Sequence, residues 1–128
     1  MPNQPPTELG DELNAWLAKW LMGWVLGYGY WFLLRDPNFA TCKTEEWTPS
    51  TSTALALDEV AEAMRAKGWL WRLEPEGEKY RAIFWKPIGT GGGLWQKVNK
   101  SKSAAVCLAA TRALYAELQA AEKAKEKP

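Results

Sequence analysis

Apolar positions recur along residues 49–85 in two different periods, and the rest of the chain reads as what covers that stretch. Leu57, Val60, Ala61 and Met64 fall at i, i+3, i+4 and i+7, with Glu59, Glu62, Arg65 and Lys67 between and beyond them. That spacing predicts a helix with one buried face, capped by Ser52 or Thr53 and stopped by Gly68, with a weak surface pair between Glu62 and Arg65. After Gly68 the period falls to two. Residues 69–74 and 79–86 alternate as strands around a Pro75-Glu76-Gly77-Glu78 turn. Centring the turn on Glu76-Gly77 pairs Leu73 with Tyr80, Trp71 with Ala82 and Trp69 with Phe84 on an apolar face. The opposite face then pairs Leu70 with Ile83 and Arg72 with Arg81. Like charges directly opposite are unfavourable, so that face calls for compensation from Glu74, Glu78 or an anionic ligand. A one-residue slip would exchange the faces.

Upstream, Leu9, Leu13, Trp16, Leu17, Trp20 and Leu21 form a second helical stripe, with Thr7 as its N-cap and Glu8, Asp11 and Glu12 in its first turn. Residues 1–6 are proline-rich and predict a disordered start. The run from Trp20 to Leu34 carries no charge for fifteen residues. It falls short of the roughly twenty that a membrane-crossing helix needs, and acidic residues precede it. It therefore reads as a helix end, a turn at Gly23, Gly27 and Gly29, and a strand over 28–34, with no membrane role. Residues 35–52 read as a long irregular connection in which Trp47 is an anchor for the core or a ligand.

Downstream, residues 87–93 form a glycine-rich connection and Leu94 to Asn99 a third strand. Gly91, Gly92 and Gly93 invite a phosphate-cradle reading, yet GTGGGLWQK lacks the GxxxxGK[ST] spacing. Set antiparallel, the third strand brings Trp95 near Trp85, and Lys97 and Asn99 near Ile83 and Arg81. Arg72, Arg81, Trp85, Trp95 and Lys97 would then share a face. Ser101 or Ser103 caps a last helix whose stripe is Cys107, Ala110, Thr111, Leu114 and Leu118. It fades into a charged tail over 122–128, leaving residues 7–121 as one domain.

Composition narrows the chemistry. With no histidine and two cysteines in no CxxC spacing, the chain lacks the residues of histidine-based nucleophile systems and of the common zinc and redox motifs. Both cysteines are expected to be reduced. A net charge of +1 is too small for a general nucleic-acid binder. Nine tryptophans exceed what so small a core needs, which points to binding or oligomer contacts. Glu45, Glu46, Glu74, Glu76 and Glu78 are the candidates for acid–base chemistry, but no nucleophile–base pair or metal-ligand spacing accompanies them. No enzyme activity and no cofactor are expected.

The sum is a mixed α+β domain: one small antiparallel sheet of three to four strands packed with about three helices. The chain resembles the phage ABA sandwich family. The resemblance rests on Leu13-Asn14-Ala15-Trp16-Leu17 leading to Met22-Gly23-Trp24, on PSTST entering ALALDEVAEAMRAKGW, on RAIFW and GLWQKVNKS, and on SAAVCLAATRAL. It spans about residues 9–118 and departs at GYGYWFLLRDPNF. It implies an α/β/α layered architecture and a phage or prophage origin, hence a host cytoplasm, and carries no catalytic residues. The expected function is non-enzymatic sequestration of a small, anionic, nucleotide-derived host immune signal. Its ligand residues would be Trp69, Trp71, Arg72, Arg81, Trp85, Gly91, Gly92, Gly93, Trp95 and Lys97, between subunits of a homo-oligomer. The alternative is a protein–protein inhibitor of host defence, or a phage accessory or structural subunit.

Overall fold

The computed structural model describes residues 4–33, 40–87 and 93–126. Outside them lie residues 1–3 and 127–128, the connection at 34–39, and residues 88–92 with Gly91 and Gly92. The fold is mixed α+β, as the pattern predicts, but its strands form two antiparallel three-stranded sheets rather than one.

The first helix, Asp11–Trp20, starts after Gly10, whose φ of 136° lets the backbone turn where other residues are strained. Thr7 therefore does not cap it, and Leu9 stays exposed while Leu13, Trp16, Leu17 and Leu21 are buried. Pro5, in the segment expected to be disordered, is buried. A hairpin follows, β1 (Trp24–Gly27) and β2 (Tyr30–Leu33), turning at Tyr28-Gly29. Both turn residues have positive φ, 51° and 78°, the geometry of a type I′ turn. The third strand of this sheet, β3 (Ala40–Lys43), lies in what the sequence presents as an irregular connection.

The central helix (53–66) begins with the Ser52 hydroxyl accepting the Leu55 N–H at 3.3 Å. It ends at Gly68, φ 97°, where Gly68 N–H bonds the Arg65 carbonyl and Trp69 N–H bonds the Met64 carbonyl, a Schellman closure. Arg65 lies 3.7 Å from Glu62. Between these ends, Ala56–Ala61 winds as a π-helix. The wider turn stacks Ala56 beneath Val60 and Ala61, so Ala56 is fully buried and Leu57 only half-buried.

The second sheet has the order β4 (Leu70–Glu76), β5 (Lys79–Trp85), β6 (Leu94–Asn99). Its hairpin turns at Gly77-Glu78, closed by Glu76 opposite Lys79. Gly77 has φ 63° at the first of the two turn positions, where a type II′ turn places glycine. Centring on Glu76-Gly77 would instead force positive φ on Glu76. The register thus differs by two residues from the expected one: Trp71 faces Phe84, Arg72 faces Ile83 and Glu74 faces Arg81. A shift of two keeps every side chain on its face.

The C-terminal helix, Lys102–Glu126, lies across β5 and β6 and against the central helix. The Ser101 hydroxyl accepts the Ala104 N–H at 3.3 Å and begins it. Cys107, Ala110, Thr111 and Leu114 are buried as expected. The helix continues to Glu126 through residues expected to form a frayed tail. Both cysteines are free, and burial pushes the Cys107 thiol up to about 12. Among the described residues no helix is long and apolar enough to cross a membrane.

Candidate functional site

The two faces of the second sheet divide the residues singled out from the sequence. Trp69, just before β4, is core: it is 1% exposed, and its indole N–H donates to the Glu117 carboxylate at 3.2 Å. Lys86 ion-pairs with the same carboxylate and lies 5.1 Å from the Trp69 ring centre. Trp71 stacks on Phe84 with centroids 6.4 Å apart. Trp95 faces Phe84 and Lys97 faces Ala82 across β5–β6. Both therefore lie on the helix-covered face. The expected register differs here by one residue, and an odd shift exchanges faces. Gly93 lies against Trp95, whose indole nitrogen would stand 3.3 Å from a Cβ added there.

Of the expected ligand residues that are described, only Arg72, Arg81 and Trp85 share the opposite, open face. The Arg72–Arg81 clash is absent. Arg72 pairs with Glu74 at 3.1 Å, and Arg81 binds Glu76 through two hydrogen bonds, one of 2.8 Å. Those bonds raise the Arg81 pKa above its ordinary value. Leu70, Leu94 and Val98 stay exposed on this face, 43%, 62% and 42%. It is an apolar strip flanked by neutralised ion pairs, with little unpaired positive charge for a phosphate.

A second locus contains one residue that the sequence singles out, Trp47, among others that it does not. Two adjoining clefts of about 690 and 730 Å³ run between the first helix and the β1–β2 hairpin, sharing Ala15, Leu26 and Trp31. Volumes of this order suit a small ligand or a few side chains of a partner. Trp16, Trp20, Trp24 and Leu26 line one cleft, and Trp31, Trp47 and Tyr28 the other. Their packing is fixed from below. The Trp47 indole N–H donates to the Asn14 carbonyl at 2.8 Å, while Trp24 meets Trp47 edge-on at 4.7 Å. The buried Asn14 side chain accepts the Ser50 N–H at 3.0 Å, tying the first helix to the 47–50 segment. Among the described residues, the cleft margins carry Asp11, Glu12 and Glu45 against one ammonium, Lys19, which lies 5.0 Å from the Trp20 ring centre.

Two features here bear on what the cleft could hold. The Trp16 indole nitrogen is buried and finds no acceptor among the described residues. Tyr28 is fully exposed at a positive φ, where an aromatic residue is strained and makes no compensating contact. The signal available in the sequence was the Gly27-Tyr28-Gly29 bend set among tryptophans. No spacing rule links it to Asp11 or Glu45.

No protein-family model matches the chain, and comparisons with curated proteins and with solved structures return no match.

Proposed function

We propose that the protein is a non-catalytic binding protein, of the phage kind its sequence resembles, that captures a partner protein in the host cytoplasm through its aromatic cleft. The observation that carries this reading is Tyr28. A fully exposed aromatic stands on the rim of a tryptophan-lined cleft at φ 51°, a turn position that the type I′ hairpin requires but that glycine or asparagine fills with less strain. The occupant is an apolar segment bearing basic side chains. Its apolar residues fill the Trp16–Trp24–Leu26 wall, and its lysines or arginines face Asp11, Glu12 and Glu45.

The test is a titration of tryptophan fluorescence with an amphipathic leucine–lysine peptide and its leucine–glutamate counterpart. The lysine peptide should bind, the glutamate peptide should not, and Tyr28→Asn or an Asp11→Asn/Glu45→Gln pair should weaken binding. Equal response to both peptides, or to neither, would overturn the reading.

A second reading is sequestration of a nucleotide-derived immune signal on the common face of Arg72, Arg81 and Trp85, where a base would stack on Trp85 and phosphate would have to draw the two guanidinium groups away from Glu74 and Glu76. Cyclic dinucleotides and ADP-ribose derivatives raising the melting temperature of the native protein, but not of Arg81→Ala, would establish it.

A further inference from the structure

We infer that β6 is a self-pairing edge, through which two copies of the chain join their second sheets into one six-stranded sheet. This uses none of the cleft residues and stands whether or not the cleft binds a partner.

β6 closes the β4-β5-β6 order, and among the described residues β5 is the strand it pairs with. The two edges of this sheet are built differently. β4 carries Pro75 and the charges Arg72, Glu74 and Glu76, the devices that blunt an edge against further pairing. β6, with the sequence LWQKVN, has no proline, and its single charge is Lys97 on the helix-covered face. Its open-face side chains Leu94, Gln96 and Val98 are all exposed. With one charge against three and no proline, β6 is the less protected edge and the better template for strand addition.

The pairing chemistry selects the occupant and the register. Two copies of β6 meeting antiparallel about a two-fold axis must oppose residues of the same face, so the axis passes through a residue position. Centred on Lys97, the pairing opposes two lysines, which is unfavourable. Centred on Gln96, it sets Leu94 against Val98 of the second copy and Gln96 against Gln96, both on the open face. On the covered face it sets Trp95 beside Lys97 of the second copy. The first contact is apolar on apolar, the second amide on amide, and the third a cation beside an indole. Each off-axis contact occurs twice by symmetry. The exposed Leu94 and Val98 thereby become the middle of a continuous strip with Trp85 and Leu70 of both copies.

Sedimentation velocity over a concentration series, together with site-directed cross-linking, tests the inference. In a Cys42→Ser background, with Cys107 buried, Gln96→Cys should oxidise to a covalent dimer. Residues opposed in an antiparallel pair have Cα atoms about 4.5–5.5 Å apart, within the span a disulfide bridges. Leu70→Cys, on the other edge strand, should not cross-link. The native chain should sediment at twice its 14.4 kDa mass, and Gln96→Lys should return it to the monomer with an unchanged circular dichroism spectrum. A native chain monomeric throughout the series, a dimer that persists in Gln96→Lys, or cross-linking no faster at 96 than at 70 would each overturn it.

Discussion

Replacing Glu117 with alanine tests how the C-terminal helix is fastened to the second sheet. One carboxylate serves two groups from either end of the β4–β5 hairpin, the Trp69 indole N–H and the Lys86 ammonium. Trp69 is 1% exposed, so water does not replace the lost acceptor. A buried donor left unpaired costs about 1–3 kcal/mol. The Lys86 side chain is 15% exposed and Glu117 31%, so the lost ion pair adds only about 1 kcal/mol after solvent screening. The expected destabilisation is about 2–4 kcal/mol, a large part of the roughly 5–15 kcal/mol that holds a domain together. Urea unfolding followed by circular dichroism measures it. The informative partner is Trp69→Phe, which removes the N–H and keeps most of the ring. In that background Glu117→Ala should cost about 1–2 kcal/mol less than in the native chain, the coupling expected of a direct contact. Additive losses would refute the assigned role of Glu117.

Tyr28→Asn should stabilise the fold by about 1 kcal/mol, because asparagine enters the left-handed region readily and Asn-Gly suits a type I′ turn; thermal unfolding reads this directly. Asn14→Ala should cost about 1–3 kcal/mol by leaving the buried Ser50 N–H without its acceptor, and Asn14→Asp, which keeps an acceptor oxygen, should recover part of that in chemical denaturation. At pH 8, iodoacetamide should label Cys42 in the folded protein but Cys107 only after unfolding. A thiol raised from 9.0 to about 12 carries about a thousandfold less thiolate. Since the folded value lies above the unfolded one, the contribution of Cys107 is complete below pH 9.0 and is lost as pH rises toward about 12. Over that window the native chain should lose stability more steeply than Cys107→Ala in urea titrations at successive pH values.

Most of the chain after Ser52 was legible in the sequence, because local signals there agree with long-range packing. The Ser52 cap, the Gly68 stop, the alternating hairpin, β6 and the Cys107–Leu114 stripe all sit where spacing puts them. The first sheet was not legible. Its strands are four residues each, too short for alternation to register, and the Gly27–Gly29 bend reads equally as the start of a strand. The sheet faces were recovered for β4 and β5 because the turn error was even. They were lost for β6, where a glycine-rich connection imposes no register, and this moved Trp95 and Lys97 away from Arg72 and Arg81. Asn14 reads as a polar interruption of an apolar stripe, and only the tertiary fold reveals the Ser50 amide it accepts. The cleft escapes for a similar reason: its walls come from the first helix, a hairpin and the 44–48 segment, whose meeting no periodicity encodes.

The π-helical winding of Ala56–Ala61 also bears on how this chain tolerates insertions and deletions. A π turn accommodates one residue more than an α-helix would use over the same rise, so this helix carries a surplus residue. Removing one residue between 56 and 61 need not break the helix, because α-winding can absorb the loss. The residues before the deletion would keep their phase relative to Ser52, and those after it would recover ordinary α spacing. Before the π segment, at 53–55, the same deletion with the π turn retained would rotate Val60 and Met64 by about 100° relative to the Ser52 cap. The gene therefore has one place within this helix where a lost codon should be nearly silent, preceded by positions where it should abolish folding.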